Sequence, residues 1–389
     1  MAETMNMIEI SVDKFINEVR LDLEDDNYEP VIGIGKSGVG KTMSIYELTQ
    51  ELGIGFCEMR LVCLTEVDML GIPVIEDGRT TYASNTLLPD AKRDGDRGIL
   101  VLDEITSATS TIRAAAYQLL DSKRALGNYK LPEHWKVIAL GNGISDGGVY
   151  TGMEAAFLSR AVCYRIEPNF NAWKKWALKN KVHPSVIAYL NFDPSKLHVF
   201  DPDEMASVFP CPRSWTALSK KLLAREKRSA TGLLSTEDVE LYAAGAVGMT
   251  EASSFAGFYS YNKKTISAED IMSGKAKASD ARGAEPEVIY IVIQSLVRQI
   301  GLEMDAEKGD KNKIDKVSDT LCGRIANVVN WFVDMGEYKL DYGITGIKDL
   351  VANVDGLDDL ILLSPEFDKL SDKLLEFATE NNIMLDAKA

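Results

Sequence analysis

The stretch Gly35-Lys36-Ser37-Gly38-Val39-Gly40-Lys41-Thr42 constrains this chain more than any other, because it matches the phosphate-loop pattern G-x-x-x-x-G-K-[ST]. The apolar run Val31-Ile32-Gly33-Ile34 precedes it, and the helix-like Met43-Ser44-Ile45-Tyr46-Glu47-Leu48 follows. Strand, loop and helix is the context in which such a loop works. Its glycines let backbone N–H groups converge on one anion, and a helix starting at Lys41 adds the positive end of its dipole. A nucleoside triphosphate is the natural guest: Gly35 to Met43 would line it, Lys41 would reach the β- and γ-phosphates, and the Thr42 hydroxyl would ligate Mg²⁺. The same segment also spells Gly33-x-Gly35-x-x-Gly38, with Glu58 downstream where a dinucleotide site places its ribose-binding acid. Gly40-Lys41-Thr42 weighs against that alternative, since a dinucleotide needs neither the cation nor the magnesium ligand.

A second apolar run, Gly98-Ile99-Leu100-Val101-Leu102, ends in Asp103-Glu104. Uninterrupted apolarity predicts a strand buried on both faces of a parallel sheet, and its carboxyl end is where open α/β sheets bind ligands. Asp103 is therefore the candidate holder of hydrated Mg²⁺ and Glu104 the candidate for polarising the attacking water; a plain acidic turn is the alternative. Ile112, Ala115, Ala116, Leu119 and Leu120 keep a helical stripe after a Thr109 or Ser110 cap. Trp135 to Gly141 reads as another strand, which brings Asn142 to the same sheet edge, within reach of the γ-phosphate or the water. Ala155 to Arg160 reads as a short helix before the strand Ala161 to Ile166, and Pro212 can open a helix whose first turn aims Arg213 at an anion. By itself Arg160 reads as an ordinary surface cation.

Elsewhere, Ile8 to Tyr28 predicts a short strand or turn and then a helix, Phe56 to Leu64 a second strand, and residues 72–82 a hairpin turning at Asp77-Gly78. From residue 170 the spacing is helical, including helices over Pro286–Gln299 and Phe367–Phe377, with exposed loops expected near 273–287 and 303–316. The 59 acidic residues outnumber 43 basic ones for a formal charge of −16, which disfavours nucleic acid and acidic membrane surfaces and points to a protein partner. The one basic cluster, Lys220, Lys221, Arg225, Lys227 and Arg228, reads first as a solvated helix face. Five cysteines with no C-x-x-C pair predict buried thiols in a reducing compartment, and three histidines without H-x-x-x-H spacing argue against a histidine metal site. With no basic leader before an apolar core and no apolar run long enough to span a bilayer, the expected setting is cytoplasmic, without a membrane.

Gly35 to Thr42, Leu102-Asp103-Glu104, Asn142, Arg160 and Arg213 occur in the order and rough spacing of an AAA+ ATPase. More narrowly the chain resembles the MoxR-like, helix-2-insert branch, through Asp103-Glu104-Ile105-Thr106-Ser107-Ala108, Gly127 to Pro132, Ala139 to Asn142 and Cys211-Pro212-Arg213-Ser214-Trp215. The similarity extends loosely through Ala244 to Gly248 and Leu363 to Phe367. The resemblance implies an α/β P-loop core of three layers with a parallel five-stranded sheet over 1–170, with its hairpin insert near 72–82. A helical lid over 171–250 and a helical, partner-docking region over 251–389 would follow. It implies Asn142 as first sensor, Arg213 as second sensor and Arg160 as an arginine finger entering a neighbouring subunit's site.

ATP with Mg²⁺ as substrate and cofactor, a homo-oligomeric ring of hexamer type, and remodelling of a client or adaptor protein, such as one with a von Willebrand A domain, follow from the same resemblance. Adenine specificity is implied only there; N-K-x-D is missing, and Asn180-Lys181-Val182-His183 lacks its carboxylate. Thr106 and Ser107 stand where the branch commonly has Asn-Arg, which leaves coupling of hydrolysis to movement open. An ATP-dependent assembly switch with slow hydrolysis, and a nucleic-acid motor using the basic helix face, are the competing readings.

Overall fold

The computed structural model describes residues 7–83, 85–143, 158–201, 208–308, 317–354, 356–357, 360–361, 367–381 and 383. Contacts divide the chain into two compact units: residues 1–172, 198–207 and 211–213, and the remainder. The first unit is built on β2 (Val31–Gly35), β6 (Arg97–Asp103) and β9 (His134–Gly141), whose interiors are buried throughout. Their unbroken apolar runs supply two cores at once. Ile32, Ile34, Leu100, Leu102, Val137 and Ala139 face one layer, while Val31, Ile99, Val101, Ile138 and Leu140 face the other. Helices cover both faces, as a parallel sheet requires.

The sheet has six strands, not the five expected, all parallel, in the order β1 (Ile8–Ser11), β10 (Val162–Glu167), β2, β9, β6 and β3 (Gly55–Arg60). The extra strand is β1 (Ile8–Ser11), which extends the edge of β10 (Val162–Glu167) from Ile8↔Tyr164 to Ser11↔Glu167. Ladder bonding rather than side-chain burial places it, since Ile8 and Glu9 are exposed. The following α1 (Val12–Glu24) buries Phe15, Val19 and Leu23. Beneath it Lys136, wholly buried on β9, pairs with Asp22 at 2.9 Å and donates to the carbonyls of Asn27 and Glu29 at 3.1 and 2.7 Å. A buried ammonium persists only when its donors are satisfied in this way.

At the other edge β3 (Gly55–Arg60) is shorter than Phe56–Leu64 predicted. Leu61–Cys63 form a 3₁₀ turn in which Leu61 is buried but Val62 and Cys63 are not, so the alternation stops at Arg60. Cys63 is thus exposed, and Cys57 and Cys163 are half-buried, which corrects the expectation of five buried thiols. Between β3 and β6 lie α3 (Glu66–Leu70), the predicted hairpin of β4 (Ile72–Glu76) and β5 (Arg79–Ala83), and α4 (Ala91–Asp94). Asp77 and Gly78 both take positive φ, 50° and 70°, as a two-residue hairpin turn demands. Ile75 is 81% exposed beside it. The Thr109 hydroxyl caps α5 (Ser110–Leu120) by accepting from the Ile112 N–H, and a short pair, β7 (Ala125–Leu126) and β8 (Tyr129–Lys130), precedes β9.

Helix α6 (Phe170–Lys179) leads into the second unit, and α8 (Pro212–Glu226) has its first residues in the first. The second unit is helical: α7 (Pro184–Phe192), α9 (Thr236–Val247), α10 (Met249–Ser260), α11 (Ala268–Met272), α12 (Pro286–Lys308), α13 (Asp319–Gly336), α14 (Leu340–Asn353) and α15 (Asp368–Glu380). Tyr189, Trp215, Phe255 and Phe258 interlock edge-on or tilted near its centre. Helix α12 runs nine residues past Gln299, because Met304 is buried and Glu303 pairs with Arg324 at 2.8 Å. The expected loop at 303–316 is therefore helical to Lys308, and its remainder lies outside the described residues. Of the loop expected near 273–287, residues 273–285 are turns and one 3₁₀ segment and 286–287 open α12, and Ala278 and Ala281 are buried rather than exposed. Residues 155–157 of the short helix expected before β10, and Leu363 to Glu366, also fall outside the described residues. No helix among the described residues is long and apolar enough to cross a membrane.

The second unit joins His183, Glu226 and Tyr259 in one hydrogen-bonded knot. His183 caps α7, its Nδ1 accepting from the Ser185 N–H at 3.1 Å, while Nε2 sits 2.9 Å from both Glu226 oxygens; the Tyr259 hydroxyl donates to Glu226 as well. Burial alone would push the Glu226 carboxyl up, but His183, Tyr259 and Arg298 together hold it below its ordinary value of 4.5. A depressed carboxyl stabilises the fold above its unfolded pKa, and that stabilisation is lost as pH falls through the lower folded value. Urea midpoints measured between pH 7 and pH 3 should therefore drop below about pH 4.5, and Glu226→Gln should start lower but flatten that acid limb.

Candidate active site

The phosphate loop joins β2 to α2 (Lys41–Leu52). Gly38 and Gly40 take φ of 77° and 100°, the left-handed region where glycine is unstrained, and this turns the loop around its own interior. Gly35 is needed for a different reason: a Cβ there would stand 2.1 Å from the Ile166 carbonyl oxygen of β10. Lys41 is buried at the first position of α2, its Nζ donating to the carbonyls of Gly35 and Lys36 at 2.7 and 2.9 Å and to Asn142 Oδ1 at 3.1 Å. Next to it the Thr42 hydroxyl donates to Asp103 Oδ2 at 3.0 Å, so the loop and the end of β6 meet through a hydroxyl and a carboxylate. Val39 is buried, and Met43 on the first turn of α2 is 56% exposed.

Glu104 follows Asp103 with φ of 58°, uncommon for a residue with a Cβ. Its N–H donates to Asp103 Oδ1 at 2.9 Å, which holds the turn and directs the two carboxylates separately. Glu104 Oε2 accepts from Ser107 Oγ at 3.3 Å and from Asn142 Nδ2 at 3.4 Å. Asn142, at the end of β9, thus connects Lys41 and Glu104 through the two ends of one amide, and its own N–H donates to Thr106 Oγ1 at 3.0 Å. The structure brings Lys41, Thr42, Asp103, Glu104 and Asn142 into one hydrogen-bonded group.

Arg213 is exposed at the start of α8, with its backbone N–H donating to the Gly38 carbonyl at 3.0 Å and Cys211 packed against Gly38. The contacts described for Arg160 are with α5. Its guanidinium stacks 4.4 Å from the Tyr117 ring centroid, donates to the Tyr117 hydroxyl, and stands 3.6 Å from Asp121 at the end of α5. The Glu58 of the dinucleotide alternative pairs with Arg60 at 3.0 Å.

Sequence reasoning noted Thr106 and Ser107 only as a departure from the resembled branch, and passed over a polar cavity of about 590 Å³ beside the loop, lined by Glu9, Lys36, Arg165, Glu167, His198 and Phe200. Lys36 bridges to Glu167 at 3.4 Å, and His198 Nε2 meets the Ser37 carbonyl at 3.0 Å. Lys36 and Ser37, already in the loop motif, were the available signal for this cavity.

Residues 30–161, about a third of the chain, match the family model described as the AAA domain of the dynein-related subfamily. Among curated proteins none matches. Solved structures similar to the chain include Hsp104 with ATPγS and FITC casein in its closed state, at 18% identity and a TM-score of 0.34, over 48% of this chain and 37% of that one. NtrX from Brucella abortus in complex with ATP shares 14% identity at a TM-score of 0.36, over 79% and 66% of the two chains. A point mutant of RuvB from Thermotoga maritima shares 14% identity at a TM-score of 0.31, over 75% and 91%. The family match encloses the hydrogen-bonded group of Lys41, Thr42, Asp103, Glu104 and Asn142: residues 30–161 are similar to an AAA domain, the domain type of ATPases.

Proposed function

We propose that this protein hydrolyses ATP with Mg²⁺ in a MoxR-like ring and uses the cycle to remodel or activate a partner protein. The observation that carries the reading is the single link Lys41–Asn142–Glu104, with Thr42–Asp103 alongside it. Lys41 and the loop N–H groups would hold the β- and γ-phosphates, and the cavity with Phe200 and His198 has the position and polarity to receive the nucleoside. The Thr42 hydroxyl and Asp103 carboxylate, 3.0 Å apart, are the hard oxygen donors Mg²⁺ prefers, and an ion that retains most of its water needs few protein ligands. When bound, it neutralises phosphate charge. Glu104 would orient the attacking water and accept its proton, Asn142 would hold the water against the γ-phosphate, and Arg213 would contact the phosphates from the start of α8.

Arg160, exposed and stacked on Tyr117 of α5, suits a finger that serves a neighbour, which requires a ring; a hexamer is the form the resemblance favours. We assign the lid to 171–250 and partner docking to 251–389. The exposed hairpin, with Ile72 at 63% and Ile75 at 81% exposure, is a further contact for an adaptor such as a von Willebrand A domain. One assay tests the reading: phosphate release with ATP and Mg²⁺, repeated with EDTA and with residues 72–82 trimmed to a Gly-Ser link. Turnover that stops in EDTA and persists in the trimmed protein without its partner response supports the reading. Turnover indifferent to EDTA, or partner stimulation retained after trimming, counts against the corresponding part.

A further inference from the structure

We infer that Thr106 and Ser107 are positioning residues for hydrolysis, Thr106 setting Asn142 and Ser107 setting the Glu104 carboxylate. The inference rests on the assignment of Glu104 as the water-activating group. Two bonds join the end of β9 to the turn after β6: Ile105 N–H donates to the Leu140 carbonyl at 2.9 Å, and Asn142 N–H donates to Thr106 Oγ1 at 3.0 Å. They lie beyond the last β6–β9 pair, Leu102↔Ala139, and add a second tether to the β2 ladder, which ends at Ile34↔Gly141, just before Asn142. Thr106 is 1% exposed and sits so close to β9 that a Cβ on Gly141 would be 2.7 Å from its methyl group. Gly141 and the Thr106 side chain therefore define one tight seat for the residue that follows.

That residue bears on both halves of the chemistry. Its Oδ1 accepts from Lys41 at 3.1 Å and its Nδ2 donates to Glu104 Oε2 at 3.4 Å, so a shift of Asn142 moves the phosphate-loop lysine and the glutamate together. The Glu104 turn is closed by Ser107 N–H donating to the Glu104 carbonyl at 3.0 Å, which brings the Ser107 hydroxyl to 3.3 Å from the same Oε2. Two donors on one oxygen fix the rotation of the carboxylate as well as its place. The Asn-Arg dipeptide of the resembled branch could not supply the same compact hydroxyl pair.

Thr106→Val keeps the shape of the side chain but removes the acceptor for Asn142 N–H, and misplacement of about 1 Å can cost up to ~100-fold in rate. We expect kcat to fall about tenfold or more in Thr106→Val and about fivefold in Ser107→Ala, with ATP affinity within ~threefold of wild type. The conservative Thr106→Ser and Ser107→Thr should recover kcat to within ~threefold, because each retains its hydroxyl. Melting temperatures measured on the same preparations separate folding from chemistry. A Thr106→Val protein that melts lower but turns over at the wild-type rate per folded molecule overturns the inference, as does a Thr106→Ser protein no faster than Thr106→Val. Glu104→Gln, run in parallel, isolates the premise: wild-type turnover there sinks the water-activating assignment, whereas its loss with normal Thr106→Val turnover sinks only the positioning roles.

Discussion

Glu104→Gln should cut ATP turnover by about 100-fold or more while leaving ATP affinity within ~threefold of wild type, since a general base contributes roughly 10²–10⁴-fold and little to ground-state binding. The amide is close in shape to the carboxylate, so it tests charge and basicity rather than packing. Glu104 belongs to neither the loop nor the Thr42–Asp103 pair, and this is why binding and chemistry separate at this residue. Lys41 and Thr42 would not separate them, because both stand in the loop itself. The variant should also fold, for Glu104 is only half-buried and its strained φ is held by the Asp103 carboxylate through the backbone, which the substitution leaves intact. Single-turnover phosphate release and equilibrium titration with a fluorescent ATP analogue measure the two quantities on one sample. Normal turnover would remove Glu104 from the reaction.

Arg160→Ala should lower assembled-state turnover by about 10³-fold, the lower end of what an arginine supplied in trans contributes. The rationale is electrostatic: in the proposed role the guanidinium would neutralise charge that develops only as the γ-phosphoryl departs, and so would affect kcat far more than affinity. In the structure it rests on α5, stacked on Tyr117 and near Asp121. Exposed cation–π and ion-pair contacts of this type are worth about 1 kcal/mol or less each, so α5 can release the side chain to a phosphate at small cost. The loss of those contacts should leave the fold intact. Rate per subunit against protein concentration, with mass measured in the same buffer, distinguishes a defect in chemistry from a defect in assembly.

The parts of the site that the sequence made legible are those where chemistry forces a residue type. Gly38 and Gly40 are demanded by positive φ, Lys41 and Thr42 were legible from the loop pattern, and Asp103 from its place at the carboxyl end of a strand with a buried interior. Asn142 was legible because β9 is long and apolar and must deliver its next residue to the same edge. Other features leave no such trace. Strand β1 has four residues, two of them exposed, so no periodicity could distinguish strand from turn; its ladder with β10 decides. Thr106 and Ser107 act through hydroxyls whose partners are set by a turn at Glu104, and that turn depends on a φ no pattern announces. The end of α12 was hidden by polar composition, because Glu303 satisfies its charge on Arg324, in a helix distant in sequence.

The central claim is that each site is completed by Arg160 of another subunit, and mixing two inactive variants tests it most directly. Arg160→Ala supplies an intact Glu104 but no finger, and Glu104→Gln supplies the finger but no base. Mixed in equal amounts after disassembly and reassembly, they should regain turnover to about a quarter of wild type, the share expected if partners pair at random and each variant loses ~100-fold or more alone. A mixture no more active than its components, although both variants bind ATP and co-assemble, would contradict the shared site.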